Sequence, residues 1–214
     1  MNKNLKAVLL LIILMVPALI FVFLKIFGVN EYDLPVYYKD GIDTVFTDCE
    51  FQKGQHLIPD FSFPDYTGQE ISRDYLTGAA LVVYFTQDLS DPVSHRVNMA
   101  LARVQGSLPA SNQIRILTIQ PQKDTSTALQ LKAVAGKYGA RKNTWFFGYA
   151  NPVYTNQLAR CGFVIDFDAI SDNTNNTIVL ADHQGSIRGY FNGLDDSEIE
   201  RLIVELKILN RNRK

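Results

Sequence analysis

The sequence predicts an α/β domain, a central mixed sheet with flanking helices and an N-terminal hairpin extension, preceded by one transmembrane helix. Three observations carry the prediction. An apolar run opens the chain, short β-branched and aromatic runs then alternate with helix-periodic segments, and a hairpin pattern followed by an amphipathic helix closes it.

The 214 residues suffice for one domain with a full core, and no break in composition divides them after residue 35. Net charge is -1 with acids and bases interspersed, so no basic stripe exists to neutralise a run of phosphates. Nucleic acid is excluded as the expected partner.

Residues Ala7 to Leu24 are uncharged throughout and interrupted only by Pro17, with Lys25 placed to snorkel before Ile26 and Phe27. A helix of roughly 20 apolar residues crosses the hydrocarbon core. Lys3 and Lys6 precede the run and Glu31 and Asp33 follow it, which keeps the N-terminus in the cytoplasm and exports the remainder. A cleavable signal peptide needs a shorter run ending in small residues. Val16-Pro17-Ala18 instead lies mid-run, so the segment reads as a retained anchor. The expected organisation is a cytoplasmic N-terminus over 1–6, an anchor over 7–27, a juxtamembrane linker over 28–56 and one domain over 57–214. The expected location is the inner (cytoplasmic) membrane, single-pass, with the domain in the periplasm.

Within the domain, Leu57–Phe63 and Gln69–Ile71 flank the turn Pro64-Asp65-Tyr66-Thr67-Gly68 as a hairpin. Ala79–Phe85 is a continuous apolar run of the kind buried on both sheet faces. Val93, Val97, Ala100, Val104 and Leu108 then recur at helical spacing behind Asp91 and Pro92, which suit an N-cap and first turn. Ile114–Ile119 predicts a second buried strand, and Thr127–Tyr138 a second helix stopped by Gly139. Trp145–Phe147 predicts a third strand and Pro152–Arg160 a helix. Thr177–Ala181 and Ile187–Phe191 flank Asp182-His183-Gln184-Gly185 as a second hairpin. Ser197 starts a final helix, with Ile199, Leu202, Ile203, Leu206 and Leu209 on one face and Glu200 completing a capping box. Hairpin, βαβαβα, hairpin and helix, with right-handed crossovers, is a thioredoxin-like plan.

In such a plan the reactive position is the loop after the first central strand, where a helix N-terminus favours a thiolate. Here that loop is Thr86-Gln87-Asp88-Leu89-Ser90-Asp91-Pro92, and it contains no thiol. Cys49 and Cys161 are too far apart for a C-x-x-C pair. They read as a loop cysteine and a buried helix-end cysteine, with a structural disulfide left open because sequence does not place their Cα atoms.

Several stretches together resemble the Sco/SenC family, membrane-anchored thioredoxin-like factors of cytochrome c oxidase assembly and copper delivery. They are Leu34-Pro35-Val36, Ile58-Pro59-Asp60-Phe61-Ser62-Phe63, Tyr84-Phe85-Thr86, Trp145-Phe146-Phe147 with Tyr154 and Leu158-Ala159, and Asp182 through Gly193. The resemblance runs from residue 34 nearly to the end. It implies two copper-binding cysteines in a C-P-x-x-C-P loop and one histidine before the late hairpin. Residue by residue, the cysteine positions fall on Asp88 and Pro92, and the family prolines on Leu89 and Val93. The histidine position falls on Thr174, or on Asn175 or Asn176 if the register slips.

Cu(I) prefers thiolate and imidazole, so these replacements remove the family's ligands, and without a thiolate the loop has no disulfide exchange. Asp88, Asp91 and His95 are the alternative oxygen and nitrogen donors. Their spacing matches no defined metal motif, and they read first as helix-start and helix residues. His56 and His183 read as solvated, and Trp145 and Phe146 as core. No nucleophile with a partnered base is found, so no enzyme is expected, no cofactor is expected, and copper enters only through the resemblance.

The leading expectation is therefore a membrane-anchored, non-redox interaction or assembly factor. Its expected partners are cytochrome oxidase subunits or a copper-carrying Sco-type protein. The alternatives are a metal chaperone with unorthodox ligands and a thiol oxidoreductase using Cys49 and Cys161.

Overall fold

The computed structural model describes residues 3–27, 34–42, 46, 49–50, 53–109, 113–124, 127–167 and 176–211. The chain divides into two compact units, one ending at Asp33 and the other starting at Leu34.

The first unit holds α1 (Lys3–Phe27), a helix that continues through Pro17. Its large apolar side chains are solvent-exposed all round, from Leu11 to Leu24. Among the described residues no helix is long and apolar enough to cross a membrane. The span expected over 7–27 stays an expectation.

The second unit is built on a five-stranded sheet of order β5-β4-β3-β6-β7. Its strands are β3 (Ala80–Phe85), β4 (Ile114–Pro121), β5 (Trp145–Ala150), β6 (Thr177–Ala181) and β7 (Ile187–Asn192). The first three are parallel, and β6 and β7 add antiparallel. Every residue of β3 is buried because both faces are covered. Ala80, Val82 and Tyr84 face a core built with α2 (Pro92–Ser107), α3 (Thr127–Lys137) and α5 (Asp196–Arg211). Leu81, Val83 and Phe85 face a second core, with Phe63, Ile71, Leu158 and Phe163.

That second core is closed by the small sheet β1 (Ser62–Pro64) and β2 (Glu70–Ser72), paired antiparallel, and by α4 (Pro152–Gln157). The turn beyond β1 reaches the edge strand β5, where Tyr66 N donates to Phe147 O at 3.2 Å.

The structure departs from the sequence expectation in five places. The first arm of the hairpin, expected over Leu57–Phe63, is strand only over Ser62–Pro64. Strand β5 runs to Ala150, past the expected end at Phe147, because Gly148 leaves room for the Phe63 ring. The helix expected over 152–160 is α-helical only to Gln157, then widens into a π-helical turn over Leu158–Gly162 in which Phe163 N donates to Leu158 O at 3.1 Å. The last helix is capped by Asp195, not Ser197: Asp195 Oδ1 accepts from Ser197 N at 2.8 Å, and Glu200 pairs with Arg103 at 3.4 Å. The expected linker is also partly structural. Leu34, Phe46 and Cys49 are buried, and Tyr37 N donates to Ile187 O at 2.9 Å.

Candidate functional site

The loop after β3 has the position expected of a reactive loop, and its functional groups are already engaged. Thr86 N donates to Ile119 O at 2.9 Å, which fixes the loop's start to the neighbouring strand. Asp91 has extended backbone and caps α2, its Oδ2 accepting from Val93 N at 2.8 Å and Ser94 N at 3.0 Å. The helix N-terminus that would steady a thiolate is thus satisfied by a carboxylate of the chain itself.

Asp88 stands where the family resemblance puts the first cysteine. Its Oδ1 accepts from Ser90 N at 2.8 Å and Ser90 Oγ at 2.7 Å, and its Oδ2 pairs with Lys123 Nζ at 2.6 Å. Partial burial pushes the Asp88 carboxyl up, but the hydrogen bonds from Lys123 and Ser90 outweigh it and hold the group below the ordinary carboxylate value. Pro92 stands at the second cysteine position and is the first residue of α2. Thr174 and Asn175 lie outside the described residues. Asn176 donates through Nδ2 to Asn192 Oδ1 at 3.0 Å.

The alternative donors Asp88, Asp91 and His95 do not converge. His95 Nδ1 faces the Tyr138 hydroxyl at 2.6 Å, away from the carboxylates that serve Lys123 and the α2 cap. Among the described residues, no group of three or more His, Cys, Asp or Glu side chains could hold a metal ion. His183 is exposed, as expected. His56 is instead half-buried, with Nε2 at 2.9 Å from Gly162 O.

Sequence reasoning missed the polar seam beneath the loop. Trp145 Nε1 donates to Thr118 Oγ1 at 3.0 Å, Thr118 Oγ1 to Asn98 Oδ1 at 3.2 Å, and Asn98 Nδ2 to Ser94 O at 2.7 Å. Tyr84 donates its hydroxyl to Ser94 Oγ at 3.2 Å, and the Thr86 hydroxyl also meets Ser94. All six are buried. Burial pushes the Tyr84 phenol up, so it is a neutral donor. The available signal was Ser94 and Asn98 one turn apart on the apolar face of α2. Fully partnered, this seam holds α2 in register with the sheet, and no hydroxyl within it is presented to a substrate.

The cysteines are the clearest correction. Cys49 and Cys161 form a disulfide, with Cα atoms 5.4 Å apart across 112 residues of sequence. The sequence favours separate thiols because sequence distance hides that Cys49 packs beside the π-helical turn carrying Cys161. The pair lies in the β1/β2 core, on the opposite face of the sheet from α2.

No protein-family model matches the chain, and no curated protein matches it in sequence. Solved structures do match. A SCO1/SenC family lipoprotein from Bacillus anthracis has a TM-score of 0.60 at 17% identity, over 72% of this chain and 95% of that one. BsSco, a member of the Sco family of cytochrome c oxidase assembly proteins in which a disulfide switch was identified, has 0.59 at 16%, over 73% and 95%. ScoI from Bradyrhizobium japonicum, solved with copper bound, has 0.55 at 13%, over 72% and 99%. At these identities the likeness is one of fold, the thioredoxin-like fold that the Sco/SenC resemblance implied.

Proposed function

We propose that this chain is a membrane-anchored, Sco/SenC-like factor linked to cytochrome c oxidase assembly and copper delivery, acting through recognition instead of through metal or thiol chemistry at its loop. The observation that carries the reading is the state of that loop. Its frame is kept, from the hydrogen bond of Thr86 to β4 to the capped start of α2, while the two cysteine positions hold Asp88 and Pro92. Asp88 is committed to Lys123 and Ser90, and Asp91 to the helix cap. A hard carboxylate and a proline offer Cu(I) no site. What the frame retains is a surface, and function follows the site and not the fold.

Anchoring rests on the all-round exposed apolar side chains of α1 together with Lys3 and Lys6 ahead of it. Placing the second unit outside the cytoplasm agrees with its disulfide, since such bonds persist in oxidising compartments.

The test is capture of the full chain from gently solubilised membranes. Cytochrome oxidase subunits or a copper-carrying Sco-type protein are expected to co-purify, and capture of neither from cells assembling oxidase overturns the reading. In parallel, full chain in detergent is titrated with Cu(I) and then Cu(II) against a competing chelator. No one-to-one complex is expected. Tight binding that Asp88→Ala and His95→Ala abolish would establish a chaperone with unorthodox ligands in its place.

A further inference from the structure

We propose that the Cys49–Cys161 disulfide is a thiol-exchange site, opened through Cys161 to a cysteine thiol of a polypeptide. The proposal is independent of the function assigned above, because it concerns the opposite face of the sheet from the loop.

Beside the disulfide lies a cleft of about 670 Å³, lined among others by His56, Leu57, Pro59, Tyr154, Leu158 and Cys161. Its volume lies in the roughly 300–1,000 Å³ range of ligand clefts, and its walls mix apolar side chains with polar and charged ones, Gln55, Asp60, Arg73 and Gln157 among them. The two sulfurs are not equivalent. Cys161 is half-buried and lines the cleft, whereas Cys49 is 8% exposed, packs in the core and does not line it. An attacking thiolate therefore has access to one sulfur, and access decides which sulfur is attacked.

The surroundings favour a bond that opens and recloses. Cys161 sits in the π-helical turn Leu158–Gly162, followed by Val164 in the left-handed region at φ 52°, costly for a β-branched residue. The Arg160 guanidinium lies 4.5 Å over the Phe46 ring, and Phe46 O accepts from Cys49 N. Arg160, which also pairs with Asp166 at 3.9 Å, thus packs on Phe46, three positions before Cys49, whose sulfur leaves as an anion. His56 holds the Gly162 carbonyl, so the cleft wall beside Cys161 is braced while the bond exchanges.

The chemistry balances without a cofactor. A substrate thiolate attacks Cys161 Sγ, a new S–S bond forms, the Cys161–Cys49 bond breaks, and its electron pair leaves on Cys49 Sγ, which takes a proton from water. The substrate's second thiolate then attacks its own sulfur in the mixed disulfide and releases Cys161 as thiolate. The dithiol loses two electrons and two protons, and the chain's disulfide becomes two thiols.

The experiment uses the oxidised full chain in detergent and, separately, a two-cysteine peptide and glutathione, each quenched by alkylation and mapped by mass spectrometry. One turnover of peptide oxidation is expected with the near-UV circular dichroism of the folded protein retained. The mixed disulfide is expected on Cys161, and it is expected to accumulate there when the peptide's second cysteine, the resolving thiol, is replaced by serine. Leu57→Trp, at an exposed position of the cleft wall, is expected to slow the peptide reaction tenfold or more with an unchanged melting temperature. A peptide rate at least tenfold above that of glutathione supports a polypeptide substrate; equal rates overturn that assignment in favour of any small thiol. Three results overturn the site itself: adducts on Cys49, exchange no faster than global unfolding, or a peptide rate unaffected by Leu57→Trp.

Discussion

Asp88 shows how one residue both removes a chemistry and replaces its structural role. At a position where the family resemblance expects a soft thiolate, its carboxylate joins Lys123 to the loop at 2.6 Å. Both side chains are about half exposed, so solvent screening keeps the pair's contribution small. Because the folded-state value is depressed, the contribution is fully present above the ordinary carboxyl value of 3.8 and is lost as pH falls through the lowered one. Asp88→Asn is expected to cost no more than about 0.5 kcal/mol at pH 7. Denaturant melts at stepped pH should find the parent and variant converging below pH 3.8, on the acid side and not the alkaline one.

At the scale of elements, the docking of β1 on β5 and of α5 on β7 each depends on one residue. A Cβ built at Gly148 would lie 2.3 Å from the Phe63 ring, which stacks on Phe61 in the same core. Gly148→Ala is expected to destabilise by about 1–3 kcal/mol through overpacking, with Phe63→Leu in the same chain recovering part of the loss in urea melts. On the other edge, Arg201 donates to Tyr190 O at 2.8 Å, pairs with Glu198 and Glu205 at 2.6 and 3.1 Å, and covers the Phe191 ring at 4.2 Å. Burial pushes the Glu205 carboxyl up and the Arg201 charge opposes it. Arg201→Ala leaves a largely buried Glu205 without its cation, at an expected cost of about 1–3 kcal/mol at neutral pH. That deficit is expected to shrink as pH falls towards 4, because protonated glutamates no longer need the guanidinium. A deficit that grows on acidification would assign the effect to lost packing over Phe191.

At the scale of the molecule, the disulfide joins Cys49, ahead of β1, to the π-helical turn that follows α4. A bridge spanning 112 residues removes much of the freedom of the unfolded chain. Cys49→Ala with Cys161→Ala is expected to destabilise the domain by about 2–4 kcal/mol, measured by chemical denaturation with and without reductant. Reductant should lower the parent to the variant's level and leave the variant unmoved. A variant as stable as the oxidised parent would mean that the bridge contributes nothing net to stability.

The local periodicities settled most of the architecture in advance. Ala79–Phe85 and Ile114–Ile119 could only be strands covered on both faces, and Asp91-Pro92 could only begin a helix, because hydrophobic period and capping chemistry act over a few residues. The emptied loop was equally legible, since the absence of a thiol between Thr86 and Pro92 is a fact of composition. Tertiary structure alone decided whatever depends on distance through space. It brought Cys49 to Cys161, Lys123 to Asp88, His95 to Tyr138 and Trp145 to Thr118, pairs separated by 27 to 112 residues. Periodicity carries no record of such contacts, because a side chain's spacing names the face it occupies and only the packed sheet determines what lies opposite that face.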